Sequence, residues 1–217
     1  MNDKRFKLVI FDLDGTLVDS SNDVIECFNY ALKMEGLKPA PDYDIKKTIG
    51  YPLQEALSRY GDSESLYRHF TTLSRQIMGN KTVLLNNAKK TLKSLNSNGF
   101  TVAIATTKTR QNTERVLKLL EIETYISELS CGDDVKNVKP APDVIIRLLK
   151  IFGLERNEAL MVGDTINDII SARRAGVKSA AVLAGFDSVE LIKSENPDWI
   201  LDDLNGVLEI VLNGTQK

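Results

Sequence analysis

The sequence predicts an α/β protein, in which a parallel sheet is covered by helices and an all-helical segment is inserted after the first strand. From about residue 88 onward, helical stretches alternate with short apolar runs, as is typical of a parallel sheet. Between residues 20 and 78, apolar residues recur at helical spacing and no strand pattern interrupts them. We therefore expect an α/β core of residues 1–16 and 83–217, interrupted by a helical cap of residues 17–82.

The first strand is predicted at residues 8–11 (LVIF), because four consecutive apolar residues suit a strand that is buried on both faces. Asp12 and Asp14 follow it, and Gly15 allows a sharp turn directly after them. Ligands of open α/β sheets bind outside the carboxyl ends of the strands. Two crowded carboxylates are tolerated there if a hard cation lies between them or if one holds a proton. Both conditions are typical of a catalytic site.

Helices are predicted in the inserted segment from the spacing of its apolar residues. Their apolar faces run from Val24 to Leu32, from Leu53 to Tyr60 and from Leu66 to Ile77. Ser20 or Ser21 is expected to cap the first of these helices. Tyr51 and Arg59 are placed where they could reach a substrate from the cap, but we interpret them as surface residues.

Five helices and five strands are predicted to follow the cap. The helices are expected at residues 88–98, 111–120, 142–152, 166–175 and 188–194. The strands are expected at residues 101–105, 127–131, 159–163, 179–183 and 199–201.

The composition excludes several classes of partner. The formal net charge of −2 and the pI near 5.6 give no sign of attraction to nucleic acid or to a membrane surface. The starting residues MNDKRFK lack the apolar stretch of a signal peptide, and no later segment is long enough to cross a bilayer. Cys27 and Cys131 form no metal-type or redox-type pair, which suits a reducing compartment. We expect a cytoplasmic protein, a monomer or homodimer, without nucleic-acid or membrane partners.

Polar residues also follow two later strands and precede one helix. Thr106 follows strand 101–105, Asp164 follows strand 159–163, and Lys139 stands before Pro140 at the entrance to a helix. Because the carboxyl ends of parallel strands open on the same edge of a sheet, these side chains are expected to converge with the first two aspartates. Each residue alone has an ordinary explanation as a turn or cap residue, but the set in this order predicts one site.

The residue types in this set suit phosphoryl transfer. Asp12 and Asp164 offer the hard oxygen ligands that Mg²⁺ prefers, and Asp168 lies one helical turn further on, where it can support the site. Lys139 offers a compact positive charge and Thr106 a hydroxyl donor to phosphate oxygens. These features predict binding of a small phosphorylated metabolite.

The paired aspartates predict a two-step reaction. Asp12 is expected to attack phosphorus and form an aspartyl-phosphate. Asp14 is expected to protonate the leaving alkoxide and then to take a proton from the attacking water. Lys139 and the metal ion would balance the charge on the transferring group.

These segments resemble the four motifs of the haloacid dehalogenase superfamily of phosphohydrolases. The motifs are FDLDGTL (11–17), Thr106 after an apolar strand, Lys139 in KPAPD, and GDTIND (163–168). The resemblance covers nearly the whole chain and implies a Rossmann-like core with a helical cap. It also implies Mg²⁺ as cofactor, Asp12 as nucleophile and Asp14 as acid and base. The metal ligands that it implies are the Asp12 carboxylate, the Asp14 backbone carbonyl and Asp164.

The segments 17–32 and 49–57 are similar to the phosphoglycolate phosphatase-like branch, which implies hydrolysis of a small phosphate monoester. The family's dehalogenases lack the second aspartate, so Asp14 favours phosphate chemistry. Relatives similar to β-phosphoglucomutase carry a histidine and an arginine where this chain has Val24 and Leu53. A pyrophosphatase or such a phosphotransferase remains an alternative. A non-catalytic regulator is a further alternative, although it has no need of crowded acids.

Overall fold

The computed structural model describes residues 6–213 and contains a six-stranded sheet in the order β5–β4–β1–β6–β7–β8, with every neighbouring pair parallel. The strands are β1 (Leu8–Phe11), β2 (Val18–Asp19), β3 (Val83–Leu84), β4 (Thr101–Ala105), β5 (Glu128–Ser130), β6 (Ala159–Gly163), β7 (Lys178–Val182) and β8 (Trp199–Leu201). The expected core segments 1–16 and 83–217 extend beyond the described residues at both ends, and the first five residues of MNDKRFK also lie outside them.

Ten α-helices surround the sheet or form the insertion in the described part of the chain. They are α1 (Ser21–Met34), α2 (Asp42–Lys46), α3 (Leu53–Ser58), α4 (Ser63–Ile77), α5 (Ala88–Ser97), α6 (Arg110–Leu119), α7 (Asp143–Phe152), α8 (Ile166–Ala175), α9 (Val189–Ser194) and α10 (Asn205–Asn213). The prediction of an α/β fold with an inserted helical cap is confirmed. No helix within residues 6–213 combines the length and apolar character that crossing a bilayer requires.

Strand β1 lies in the middle of the sheet, between β4 and β6. Its four residues are fully buried, as the unbroken apolar run predicts. Leu8 pairs with Thr101 of β4 and with Ala159 of β6, so the three strands run in step and end at the same level. This register brings together the residues that follow the three strands.

The two faces of the sheet pack into different apolar clusters. Leu8 and Ile10 pack with Val144 and Leu148 of α7 on one face. On the other face, a larger cluster continues from the sheet into the interior of the cap, and its members include Val9, Phe11, Phe28, Leu57 and Leu66. Burial of this shared apolar surface stabilises the cap against the sheet.

Asp23 of α1 fixes the segment that returns from the cap to the core. Its buried carboxylate accepts hydrogen bonds from the Gly79 and Lys81 backbone N–H groups, at 2.9 and 3.1 Å, and from the Thr82 hydroxyl at 2.6 Å. Strands β2 and β3 pair antiparallel beside this segment. Both ends of the insertion are therefore held next to each other.

Some elements differ from the sequence predictions. Helices α2 and α10 and the pair β2–β3 were not predicted, because α2 buries only Ile45 and the paired strands have two residues each. Ser20 occupies the N-cap position of α1, but its side chain makes no capping hydrogen bond and donates to Asp14 instead. The two cysteines are free and buried, and burial raises the pKa of each thiol to about 12.

Candidate active site

Lys139 joins two of the predicted acids at the carboxyl edge of the sheet. Its ammonium group donates to Asp12 Oδ1 and Asp168 Oδ1, both at 2.6 Å, and to the Ala105 carbonyl at 2.9 Å. Burial alone would lower the pKa of Lys139, but the two carboxylates raise it above its usual range. A charged lysine with three satisfied donors therefore lies at the centre of the candidate site.

Asp12, Asp164 and Asp168 form a buried cluster of carboxylates, each of which offers an oxygen within 4.8 Å of the others. Asp12 Oδ2 has no hydrogen-bond partner in the described part of the chain, although it is buried. Burial, opposed by Lys139 and reinforced by Asp168, raises the pKa of Asp12 to about 7. Burial and the nearby Asp12 also raise the pKa of Asp164 well above its usual range. The cluster has more negative charge than one lysine balances.

This cluster fits a hard divalent cation. An unpartnered buried carboxylate oxygen is costly unless a proton or a cation compensates it. The oxygen ligands of Asp12 and Asp164 are of the kind that Mg²⁺ and Ca²⁺ take. Asp168 is less available, because Oδ1 accepts from Lys139 and Oδ2 accepts from the Thr165 backbone and hydroxyl at 3.0 and 2.8 Å.

Asp164 is oriented from two sides. The Thr16 hydroxyl donates to Oδ1 at 2.7 Å, and the Phe186 backbone N–H donates to Oδ2 at 2.9 Å. Gly15 and Gly185 approach the carboxylate so closely that a Cβ atom at either position would overlap it. Glycine is required at both places because the backbone itself forms the walls around Asp164.

Asp14 is paired with Lys108, a residue that was not predicted to belong to the site. The two side chains are 8% exposed, and Lys108 Nζ lies 3.1 Å from Asp14 Oδ2. The Ser20 hydroxyl donates to the other carboxylate oxygen. The sequence signal was present, because Lys108 follows strand β4 by three residues and so lies at the same sheet edge as Thr106.

Thr106 directly follows β4 and is buried beside the residue whose carbonyl binds Lys139. Its backbone N–H donates to the Ser130 carbonyl at 3.0 Å, and its hydroxyl accepts from the Lys108 N–H at 3.2 Å. The structure thus brings the predicted site residues to one edge of the sheet. Their catalytic, phosphate-binding and metal-binding roles stay predictions.

A small cavity of about 100 Å³, named the inner cavity below, lies between the strand ends and the cap. Its polar lining includes Asp14, Lys108 and Asn112, and its apolar lining includes Val24 and Leu53. Asn112 also joins core to cap, because its Nδ2 donates to the Ser74 hydroxyl at 3.0 Å. The cavity therefore connects Asp14 at the carboxyl edge of the sheet with side chains of the cap.

A larger cavity of about 690 Å³, named the outer cavity below, lies between residues 43–59 of the cap and residues 185–191 of the core. Residues 47–52 connect α2 to α3, line part of this cavity and are named the cap loop below. Lys46, Lys47 and Arg59 line it, and none has an ion-pair partner among residues 6–213. Tyr51 lines both cavities and is half-buried, so its interpretation as a plain surface residue is wrong.

Known proteins resemble this chain over almost its full length. A phosphoglycolate phosphatase of Agrobacterium fabrum is 32% identical over 90% of this chain and 88% of its own. Pyrophosphatase PpaX of Bacillus cereus is 30% identical over 95% of this chain and 97% of its own. The crystal structure of a protein described as a predicted phosphoglycolate phosphatase from Haemophilus somnus superposes with a TM-score of 0.88 at 30% identity, covering 96% and 99% of the two chains.

Residues 9–182 match the family described as haloacid dehalogenase-like hydrolase. The match includes all the strand ends that bear Asp12, Thr106 and Asp164, together with the buried Lys139. The relatives named above are phosphatases and pyrophosphatases, which act on phosphate groups rather than on halides. The chain belongs to the haloacid dehalogenase-like hydrolase family and is a hydrolase of its phosphatase type.

Proposed function

We propose that the chain is a cytoplasmic, Mg²⁺-dependent phosphatase that hydrolyses a small phosphate monoester through an aspartyl-phosphate on Asp12. Phosphoglycolate is the first substrate to test. The observation that carries the proposal is the buried ion cluster, in which Lys139 holds Asp12 and Asp168 at 2.6 Å while Asp12 Oδ2 stays unpartnered. A nucleophile held beside a negatively charged cluster is suited to phosphoryl transfer, because the cluster would bind the metal ion that accompanies the phosphoryl group.

The proposed metal ligands are the Asp12 carboxylate, the Asp164 carboxylate and the Asp14 backbone carbonyl. Three hard oxygens from the protein leave the remaining octahedral positions for water and substrate. When bound, Mg²⁺ supplies charge neutralisation for the phosphoryl oxygens. The high pKa values of Asp12 and Asp164 support this assignment, because a cation would relieve the crowding that raises them.

The residues of the chain then divide the reaction among them. Asp12 Oδ2 forms a bond to phosphorus while the ester oxygen leaves and takes a proton from Asp14. Water next attacks phosphorus, gives its proton to Asp14 and releases Asp12 as a carboxylate. The Thr106 hydroxyl holds the transferring group, while Lys139 keeps Asp12 oriented and supplies positive charge beside the phosphoryl group during both steps.

The size and charge of the inner cavity support a small anionic leaving group. Its volume of about 100 Å³ favours a small leaving group over a large one. Lys108 brings a positive charge to the cavity that would attract a carboxylate or phosphate. Val24 and Leu53 offer no polar group to a sugar hydroxyl, which disfavours the phosphotransferase alternative.

Hydrolysis of pyrophosphate is the second candidate. The relative named pyrophosphatase PpaX matches this chain over nearly the same length as the phosphoglycolate phosphatase. Glycolate and phosphate are both small anions, so the cavity accommodates either as leaving group.

A panel of phosphate compounds with Mg²⁺ tests the proposal. Phosphate release is measured for phosphoglycolate, pyrophosphate, glucose 1-phosphate and p-nitrophenyl phosphate. We expect kcat/KM to be highest for one of the two small anionic substrates, and activity to disappear with a chelator. Highest activity on the sugar phosphate, or equal activity with and without Mg²⁺, would contradict the proposal.

A further inference from the structure

The segment 185–187, which follows β7, holds the Asp164 carboxylate from one of its two sides. The Phe186 backbone N–H donates to Asp164 Oδ2 at 2.9 Å. Gly185 packs directly against the same side chain and leaves no room for a Cβ atom. A shift of this segment would therefore release or displace Asp164.

The next residue, Asp187, links the segment to the cap. Its Oδ2 accepts from the Ile166 backbone N–H at 2.8 Å, at the first turn of α8. The Tyr51 hydroxyl of the cap loop donates to the same carboxylate, at 3.0 Å from Oδ1 and 3.1 Å from Oδ2. Tyr51 is thus tied through Asp187 to the backbone that holds Asp164.

Two further contacts dock the cap loop on the start of α8. Asn167 Nδ2 donates to the Gly50 carbonyl at 3.3 Å. Gly50 has a φ of +86°, and a Cβ atom there would lie 2.7 Å from the Thr165 methyl carbon. The loop therefore rests on residues that immediately follow Asp164 in sequence.

We propose that Tyr51 and Asp187 are positioning residues that couple docking of the cap loop to the orientation of Asp164. With the loop docked, the 185–187 segment holds the Asp164 carboxylate ready for a divalent cation. Binding of the cation in turn favours the docked loop, because coupling between two sites is reciprocal. The inference rests on the proposed function in one respect, namely that Asp164 is a ligand of Mg²⁺.

Calorimetric titration with Mg²⁺ alone tests the coupling without turnover. Tyr51→Phe removes one hydroxyl and its hydrogen bond to Asp187, so we expect Mg²⁺ affinity to fall by about two- to tenfold. Tyr43→Phe is the matched control, because Tyr43 lines the same outer cavity, is 67% exposed, and its hydroxyl makes no hydrogen bond to residues 6–213. The control is expected to bind Mg²⁺ like the unmodified protein.

A second variant and a second measurement make the test independent of one mutation. Asp187→Ala removes the shared partner, so adding Tyr51→Phe to it should cause no further loss of Mg²⁺ affinity. Hydrogen exchange of the cap-loop amides should slow on addition of Mg²⁺ in the unmodified protein. The slowing should be smaller in Tyr51→Phe, by the same reciprocity.

The outcomes separate this inference from the proposed function. If the unmodified protein binds Mg²⁺ and Tyr51→Phe binds it equally well, the coupling is overturned and the proposed function stands. If the unmodified protein does not bind Mg²⁺, both the proposed metal site and the coupling are overturned. Weaker binding in Tyr51→Phe but not in Tyr43→Phe, together with unequal loop protection, would support the coupling.

Discussion

The strand-end site and the cap loop are built in different ways. Lys139 is fully buried and binds partners on three elements, the ends of β1 and β4 and the first turn of α8. On the outer side of the cap loop, Lys46, Lys47 and Arg59 are exposed and line an open cavity. The strand-end residues are therefore held in place by the sheet and by one another, whereas the charged side chains of the outer cavity have no ion-pair partner among residues 6–213.

The difference has a simple structural origin. Parallel strands in register end at one level, so residues that follow them meet without any special loop. The cap loop connects two short helices, α2 and α3, which bury only Ile45, Ala56 and Leu57. Substitutions in the loop are therefore expected to alter substrate choice with little effect on the fold.

Asp12→Asn tests the strand-end site and has the largest expected effect. The amide keeps the size of the side chain but lacks a nucleophilic oxygen, so kcat should fall by at least about a thousandfold. Phosphate release measures the loss, and thermal unfolding checks that the fold is intact. Near-normal turnover would rule out covalent catalysis by this residue.

Lys139→Met tests whether the buried carboxylate cluster needs the positive charge of its lysine. Removing the lysine leaves Asp12 and Asp168 without their shared partner, so the free energy of unfolding of the metal-free protein should fall by about 3–5 kcal/mol. Urea denaturation measures the change. Lys136→Met, at an exposed lysine nearby in sequence, is the control and should be close to neutral. An unchanged free energy of unfolding in Lys139→Met would show that Asp12 and Asp168 are not both ionised in the folded protein.

The pH dependence of stability tests the raised pKa of Asp12. Because its pKa in the folded protein, about 7, lies above the unfolded value of 3.8, its stabilising contribution is complete below about pH 4 and is lost as the pH rises through 7. Between pH 5 and 7, the metal-free protein should lose about 2 kcal/mol relative to Asp12→Asn. Urea denaturation of both proteins at the two pH values gives this difference. An equal change in the free energy of unfolding between the two pH values in both proteins would contradict the raised pKa of Asp12.

Lys108→Met tests the role of the inner cavity, which lies between the strand-end site and the cap. Loss of the positive charge in the inner cavity should lower kcat/KM for phosphoglycolate or pyrophosphate about tenfold more than for p-nitrophenyl phosphate, whose leaving group lacks a second anionic site to pair with it. Because Lys108 also pairs with Asp14, only the ratio between substrates is diagnostic. Arg59→Met, in the outer cavity, should leave that ratio nearly unchanged. An unchanged ratio in Lys108→Met would remove the lysine from substrate recognition.

The sequence predicted the sheet better than the contacts around it. Strands β1, β4, β6 and β8 have the predicted bounds, because a short apolar run between breakers is a local signal. The convergence of Asp12 and Asp164 also followed from the strand ends, and Lys139 joins them from its predicted place at the entrance to a helix.

The contacts that the sequence did not reveal join distant segments. Tyr51 and Asp187 are 136 residues apart, and no local pattern around either residue indicates that they pair. The position of Lys108 after β4 places it at the same sheet edge as Asp14, but their pairing depends on how β4 lies beside β1, which the sheet order shows.

Trapping the covalent intermediate tests the role of Asp12 most directly. Asp14→Asn lacks the proposed base, so p-nitrophenyl phosphate, whose leaving group needs no acid, should phosphorylate the protein faster than water releases phosphate. After an acid quench, peptide mass spectrometry should find one phosphoryl group on Asp12, and hydroxylamine should remove it. A phosphoryl group on another residue, or continued hydrolysis of p-nitrophenyl phosphate by this variant with Asp12 unmodified, would contradict nucleophilic catalysis at the end of β1.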